Sequence, residues 1–113
     1  MRRAGATVLA VKTDVSRAGD VEALAQGTLD AFGGVHLLFN NAGVVVVANT
    51  WETSLGEWEW VMGVNLWGVI HGLQVFVPIL LAQDTDCHIV NTASIAGLMP
   101  NHPSASYQVT KHA

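Results

Sequence analysis

Short apolar runs and helical stretches alternate along this chain. Thr7 to Val11 (Thr-Val-Leu-Ala-Val) is a β-branched apolar run that predicts a buried strand. From Ala18 to Phe32 the inward positions Val21, Leu24, Ala25, Thr28, Leu29 and Phe32 follow the i, i+3, i+4, i+7 stripe of an amphipathic helix. Gly33-Gly34 stops that helix, as glycine past a helix end should. Val35 to Asn40 predicts a second strand, ended by Asn41-Ala42-Gly43, with a loop to about Thr53. Ser54 or Thr53 can cap a long helix from Leu55 to about Gln83, with Glu57 in its first turn. Cys87 to Thr92 predicts a third strand, and a last helix starts near Ala105. Strand and helix alternating three times predicts an α/β fold with a parallel sheet and right-handed crossovers. Ligands of such sheets bind beyond the carboxyl ends of the strands. Asp14, Asn40, Asn41 and Ser94 are expected there.

Composition narrows the classes. At 113 residues the chain is one domain at most. Half of it is hydrophobic, which excludes disorder. Only 12% is charged, about half the usual share for a soluble domain, as if much of the surface belonged to an interior or an interface. A net charge of -4 with no basic stripe excludes a nucleic-acid binder. One cysteine excludes a disulfide framework. His36, His71, His88, His102 and His112 show neither i, i+4 pairing nor a Cys/His cluster, so no metal site is expected. Val61 to Leu81 carries no charge and passes the length test for a membrane span. Asn65, His71, Gln74 and Pro78 inside it, and acidic flanks on both sides, favour a helix buried on most sides by protein. The basic Met1-Arg2-Arg3 start leads into no signal-peptide core, so a cytoplasmic location is expected.

Candidate chemistry gathers near the end of the chain. Tyr107 and Lys111 are four apart at a helix start, which puts both on one face. A free tyrosine ionises near pH 10, and bringing that to neutral pH takes roughly 4 kcal/mol of differential stabilisation. An ammonium group beside the phenol supplies stabilisation of that kind. A tuned tyrosine can then exchange a proton with an alcohol or ketone. Ser94, thirteen residues earlier, follows a predicted strand, where its hydroxyl could hold the substrate oxygen.

Taken in order, Asp14-Val15, Asn40-Asn41-Ala42-Gly43, Asn65, Ser94-Ile95-Ala96-Gly97 and Tyr107-Gln108-Val109-Thr110-Lys111 resemble the short-chain dehydrogenase/reductase family over essentially the whole chain. Each motif is weak alone; the ordered set is specific. The resemblance implies a Rossmann-like, doubly wound parallel sheet. It implies an NAD(P)-dependent oxidoreductase that transfers hydride between nicotinamide and a carbonyl or secondary alcohol. It implies Tyr107 as acid/base, Lys111 as its partner and a contact of the nicotinamide ribose, and Ser94 as the group that positions the substrate oxygen. Asn65 would be a fourth member, its backbone holding a relay water. Asp14 and Val15 match adenine contacts; Asn40, Ala42 and Gly43 match a strand end along the adenosine ribose. For Asn40 and Asn41 a structural role, tying strand ends together, stands level with that one. NAD and NADP are not distinguished, and no substrate is named. Leu98, Met99, Pro100 and His102 would face it by position.

One departure from the family matters most. The family's Gly-x-x-x-Gly-x-Gly turn after a first strand is absent, and Gly63, Gly68 and Gly72 fall mid-helix instead. Residues 1–113 therefore match the central section of a partial NAD(P)-binding domain, from its third strand to the start of the Tyr107 helix. In the order 3-2-1-4-5-6 the first predicted strand would lack its partner, while the other two can pair and leave open edges. The isolated chain is expected to be poorly stable, to bind dinucleotide weakly if at all, and to be inactive by itself. The resemblance also implies a homo-oligomer through the 55–83 helix and the Tyr107 helix. The alternative is a truncated, non-catalytic relative that acts as a binding or dimerisation partner.

Overall fold

The computed structural model describes residues 4–100 and 103–113. Helix α1 spans Ala18–Phe32 and strand β1 Leu37–Asn40. A long helical run follows: α2 (Leu55–Met62), a π turn (Gly63–Trp67) and α3 (Gly68–Gln83). Strand β2 (His88–Asn91), a 3₁₀ turn (Ile95–Gly97) and α4 (Ala105–His112) complete the described elements. The two strands pair in parallel, Leu37 opposite His88 through Asn40 opposite Asn91. This is a small α/β unit, part of a Rossmann-like sheet, and it carries the expected pairing of the second and third apolar runs.

Helix ends follow local chemistry. Gly33 takes a left-handed φ of 77° and its N–H donates to the Leu29 carbonyl at 2.8 Å, closing α1. Ser54 caps α2 with a capping box: its hydroxyl accepts from the Glu57 N–H, and the Glu57 carboxylate accepts from the Ser54 N–H. Asp84 ends α3 in the left-handed region at φ 51°.

Three expectations need correction. Thr7–Val11 joins no ladder and is largely exposed; Leu9 and Val11 lie beside Gly27 of α1 instead. Among the described residues the sheet has two strands, and this run is not one of them, whatever its β-branched content. Strand β1 begins at Leu37, not Val35, because the Gln83 side chain takes both backbone groups of Val35: Oε1 accepts from its N–H at 2.7 Å and Nε2 donates to its carbonyl. The long helix is buried along one stripe, with about a third of its most apolar window covered, not on most sides. Gly68, Gly72, Phe76 and Leu80 form that stripe on α3. By length and composition alone the run Leu55–Gln83 would suffice to cross a membrane. Its glycines serve protein packing: a Cβ at Gly68 would meet Val15, and one at Gly72 would meet the Asn40 side chain.

The core joins α1, α3 and the segment leading into β1. Val21, Ala25, Val35, Phe76 and Leu80 are buried together, with Cys87 packed against them at partial exposure. Trp51 is 81% exposed, and Trp60 and Trp67 are half exposed, so these tryptophans are not core residues. Trp67 lies near His71, whose Nδ1 is 2.8 Å from the Val15 carbonyl, fixing the 14–16 segment against α3.

Candidate functional site

A cleft of about 720 Å³ opens beyond the carboxyl ends of β1 and β2, where a parallel sheet places its ligands. The segment after β1 (Asn41, Gly43), the segment after β2 (Thr92, Ser94) and α4 (Tyr107, Lys111) all line it. Val45, Val47, Ile95 and Met99 make the rest of its wall largely aliphatic.

Lys111 is held in place twice. Its Nζ donates to the Thr92 carbonyl at 3.0 Å and lies 5.7 Å from the centroid of the Tyr107 ring. One helical turn therefore sets the ammonium against the phenol, and the end of β2 anchors the ammonium. Thr92 is itself tied across the sheet: its hydroxyl donates to Asn41 Oδ1 at 2.8 Å. Asn40 Nδ2 donates to Asn91 Oδ1 at 2.9 Å. Both asparagines thus join the strand ends. Ser94 opens the 3₁₀ turn, and its Oγ accepts from the Ala96 N–H at 3.2 Å. That turn presses on α4 so closely that a Cβ at Gly97 would overlap the Lys111 carbonyl.

Asn65 is 6% exposed, inside the π turn and behind the cleft. Its Oδ1 accepts from the Val44 N–H at 2.8 Å, and its Nδ2 donates to the Val44 carbonyl at 2.9 Å and to Thr110 Oγ1 at 3.0 Å. One amide thus clamps the cleft wall to the long helix and to α4. A π turn adds one residue to the helical turn, a device common at functional sites. The start of α4 is pinned to the same wall, as Ser104 Oγ donates to the Val46 carbonyl and the Ala105 N–H to the Ala48 carbonyl.

The other expected site residues lie apart from this cleft. Val15, Asn40 and Ala42 line a smaller apolar hollow of about 80 Å³ beside α3. Asp14 lines neither hollow. Its carboxylate accepts from the Ser16 hydroxyl at 2.6 Å and the Ser16 N–H at 3.0 Å, with Arg17 3.7 Å away. The Ser16 hydroxyl first, then its N–H, and more weakly the Arg17 guanidinium hold the Asp14 carboxyl below its ordinary value. Of the four residues expected to face substrate, Met99 lines the cleft; Leu98 and Pro100 do not, and His102 lies outside the described residues. Among the described residues no group of three or more His, Cys, Asp or Glu could hold a metal ion.

The pattern of residues missed Thr110, Thr92 and Gln83. Each is a polar residue in or beside an element whose side chain bonds to a group far away in sequence (Thr110 to the Asn65 side chain, Thr92 to the Asn41 side chain, Gln83 to the Val35 backbone), and nothing in its local periodicity marks it. Gly97 was visible as part of a motif, and its contact with α4 supplies the physical reason.

Residues 1–113 match the family profile described as short chain dehydrogenase. A short chain dehydrogenase/reductase from Burkholderia phymatum, solved in complex with NAD, is 54% identical with a TM-score of 0.96; the match covers 99% of this chain and 40% of that one. The "CLA biosynthesis dehydrogenase/reductase" of Lactiplantibacillus plantarum is 37% identical over 109 residues, covering 96% of this chain and 38% of the relative. The "1-deoxy-11-beta-hydroxypentalenate dehydrogenase" of Streptomyces avermitilis is 37% identical over 111 residues, covering 96% and 41%. The chain spans about two fifths of the length of these proteins.

Proposed function

Because this chain belongs to the short chain dehydrogenase family, we propose that it forms the central section of an NAD(P)-dependent oxidoreductase and carries that enzyme's acid/base end. The observation that supports this reading is the meeting of Ser94, Tyr107 and Lys111 around one cleft at the strand ends, with the Lys111 ammonium held 5.7 Å from the Tyr107 ring centre. When bound, the nicotinamide supplies or accepts the hydride. In this reading the Tyr107 hydroxyl gives a proton to, or takes one from, the substrate oxygen. The Lys111 ammonium, one helical turn from the phenol, would donate to the ribose of the cofactor. The Ser94 hydroxyl donates to the substrate oxygen as charge builds on it. Asn65 secures the wall and α4, and its backbone holds a relay water.

The donor set fits the nicotinamide half of a dinucleotide: one cation, two hydroxyls and a backbone wall open at Gly43. The pyrophosphate has no matching turn in these residues. Asp14 and Val15, by family position, meet adenine; Asn40, Ala42 and Gly43 meet the adenosine ribose. The substrate is a small carbonyl or secondary alcohol, in a cytoplasmic setting. The half-exposed Trp60, Trp67 and Val109 support a subunit contact through the 55–83 run and α4.

Calorimetric titration with NADH and with NADPH tests the division of labour. The isolated chain is expected to bind either one weakly. Tight binding would contradict a section that lacks the pyrophosphate turn.

A further inference from the structure

Thr110 sits on α4 between Tyr107 and Lys111, 4% exposed, on the side turned away from the cleft wall that those two residues line. Its hydroxyl makes two hydrogen bonds in opposite senses. It accepts from Asn65 Nδ2 at 3.0 Å and donates to the Tyr107 carbonyl at 2.8 Å. Asn65 in turn grips both backbone groups of Val44. A continuous chain of bonds therefore runs from the cleft wall, through the π turn, to the backbone of the residue carrying the phenol. Each of these groups is buried or half-buried, where an unmade bond costs most.

We propose that Thr110 is a positioning residue: its hydroxyl locks the Tyr107–Lys111 turn to the π turn through Asn65 and so fixes the phenol relative to the ammonium. The inference rests on reading Tyr107 and Lys111 as the acid/base pair, but its geometry can be tested without turnover. Valine matches threonine in shape and lacks the hydroxyl. In Thr110→Val, Asn65 Nδ2 loses one acceptor and the Tyr107 carbonyl loses its side-chain donor. The turn is then free to shift, and Lys111, anchored separately to Thr92, does not follow it. Serine keeps the hydroxyl and should keep the lock.

Tyr107 is the sole tyrosine of the chain, so a tyrosine ring label reports on it alone. The test is NMR of the ring-labelled full chain as wild type, Thr110→Val and Thr110→Ser, with helix content checked by circular dichroism. Expected are a through-space signal between the Tyr107 ring and the Lys111 side chain in wild type, its loss in Thr110→Val at unchanged helix content, and its return in Thr110→Ser. In the cofactor-loaded enzyme, kcat of Thr110→Val should fall about tenfold with cofactor KM unchanged. An undiminished ring–lysine signal in Thr110→Val overturns the proposal. So does a Thr110→Ser protein that stays as altered as the valine variant, since the methyl group would then be what matters. If Thr110→Val does not fold, Thr110→Ala is read by the same signal. Failure of both to fold while Thr110→Ser folds makes the hydroxyl a stability element and also overturns the positioning role. A wild-type section that stays inactive when grafted into a full-length relative, with the NMR result intact, would instead refute the oxidoreductase reading and leave the lock standing.

Discussion

The carboxyl end of the β1–β2 sheet and the faces of that sheet are built differently. At the carboxyl end, polar side chains stitch segments together across long sequence distances: Asn65 to Val44 and Thr110, Thr92 to Asn41, Lys111 to the Thr92 carbonyl. Along the faces of the sheet and in the 7–11 segment, apolar side chains stand open, with Leu37 51% and Phe39 58% exposed. The first region is held by directional bonds that this chain supplies to itself. The second depends on the hydrophobic effect, which needs a covering surface and gives nothing without one. The geometry of the cleft is therefore a local property, and the stability of the whole is not.

That contrast can be broken or sharpened by substitution. The largest effect is expected at the phenol: in the cofactor-loaded enzyme Tyr107→Phe should cut turnover by about 10²–10⁴-fold, with helix content by circular dichroism unchanged. Next is Ser94→Ala, expected to lower kcat by roughly 10²-fold or more through loss of a donor to the substrate oxygen, which steady-state kinetics would show. Unchanged kcat there would remove Ser94 from the site. Gly97→Val probes the stitching itself. Its side chain would strike the Lys111 carbonyl, and a cost of about 1–3 kcal/mol in denaturant unfolding is expected.

On the open side the stability cost should be small. Phe39→Thr in the isolated chain should cost under about 1 kcal/mol, because an exposed ring loses little burial, and should raise solubility measured by light scattering. A large loss of stability would mean the face is already covered. The smallest effect belongs to Asp14. Its depressed carboxyl contributes stability that is present above its unfolded value and is lost as pH falls through the lower folded value. Asp14→Asn should flatten that acid limb slightly, as thermal melts against pH would show; the side chain is exposed, so the effect is weak.

Legibility in the sequence follows the same divide. Helix α1 and the start of α2 were readable because apolar period and capping chemistry are local. The pairing of β1 with β2 was readable only once two apolar runs were placed in the strand order that the family resemblance implies. Thr7–Val11 forms no strand among the described residues: its composition records a preference for pairing, and the strand order that the resemblance implies already left it without an adjacent strand. Ser94, Tyr107 and Lys111 were readable as an ordered motif. Thr110 and Gln83 were not, since a single polar residue in a helix looks the same whether it faces solvent or completes a buried bond. The π turn left no mark either: Asn65 was visible, but the extra residue that turns it inward is a tertiary compromise.

The most direct measurement grafts this chain into the Burkholderia phymatum relative, in place of the two fifths it matches, and follows NAD binding and the turnover of a carbonyl or alcohol panel by parent and graft side by side. The account predicts an active graft whose Tyr107→Phe form still binds NAD but turns over at least about 10²-fold more slowly. A Tyr107→Phe graft that keeps the full rate would contradict it.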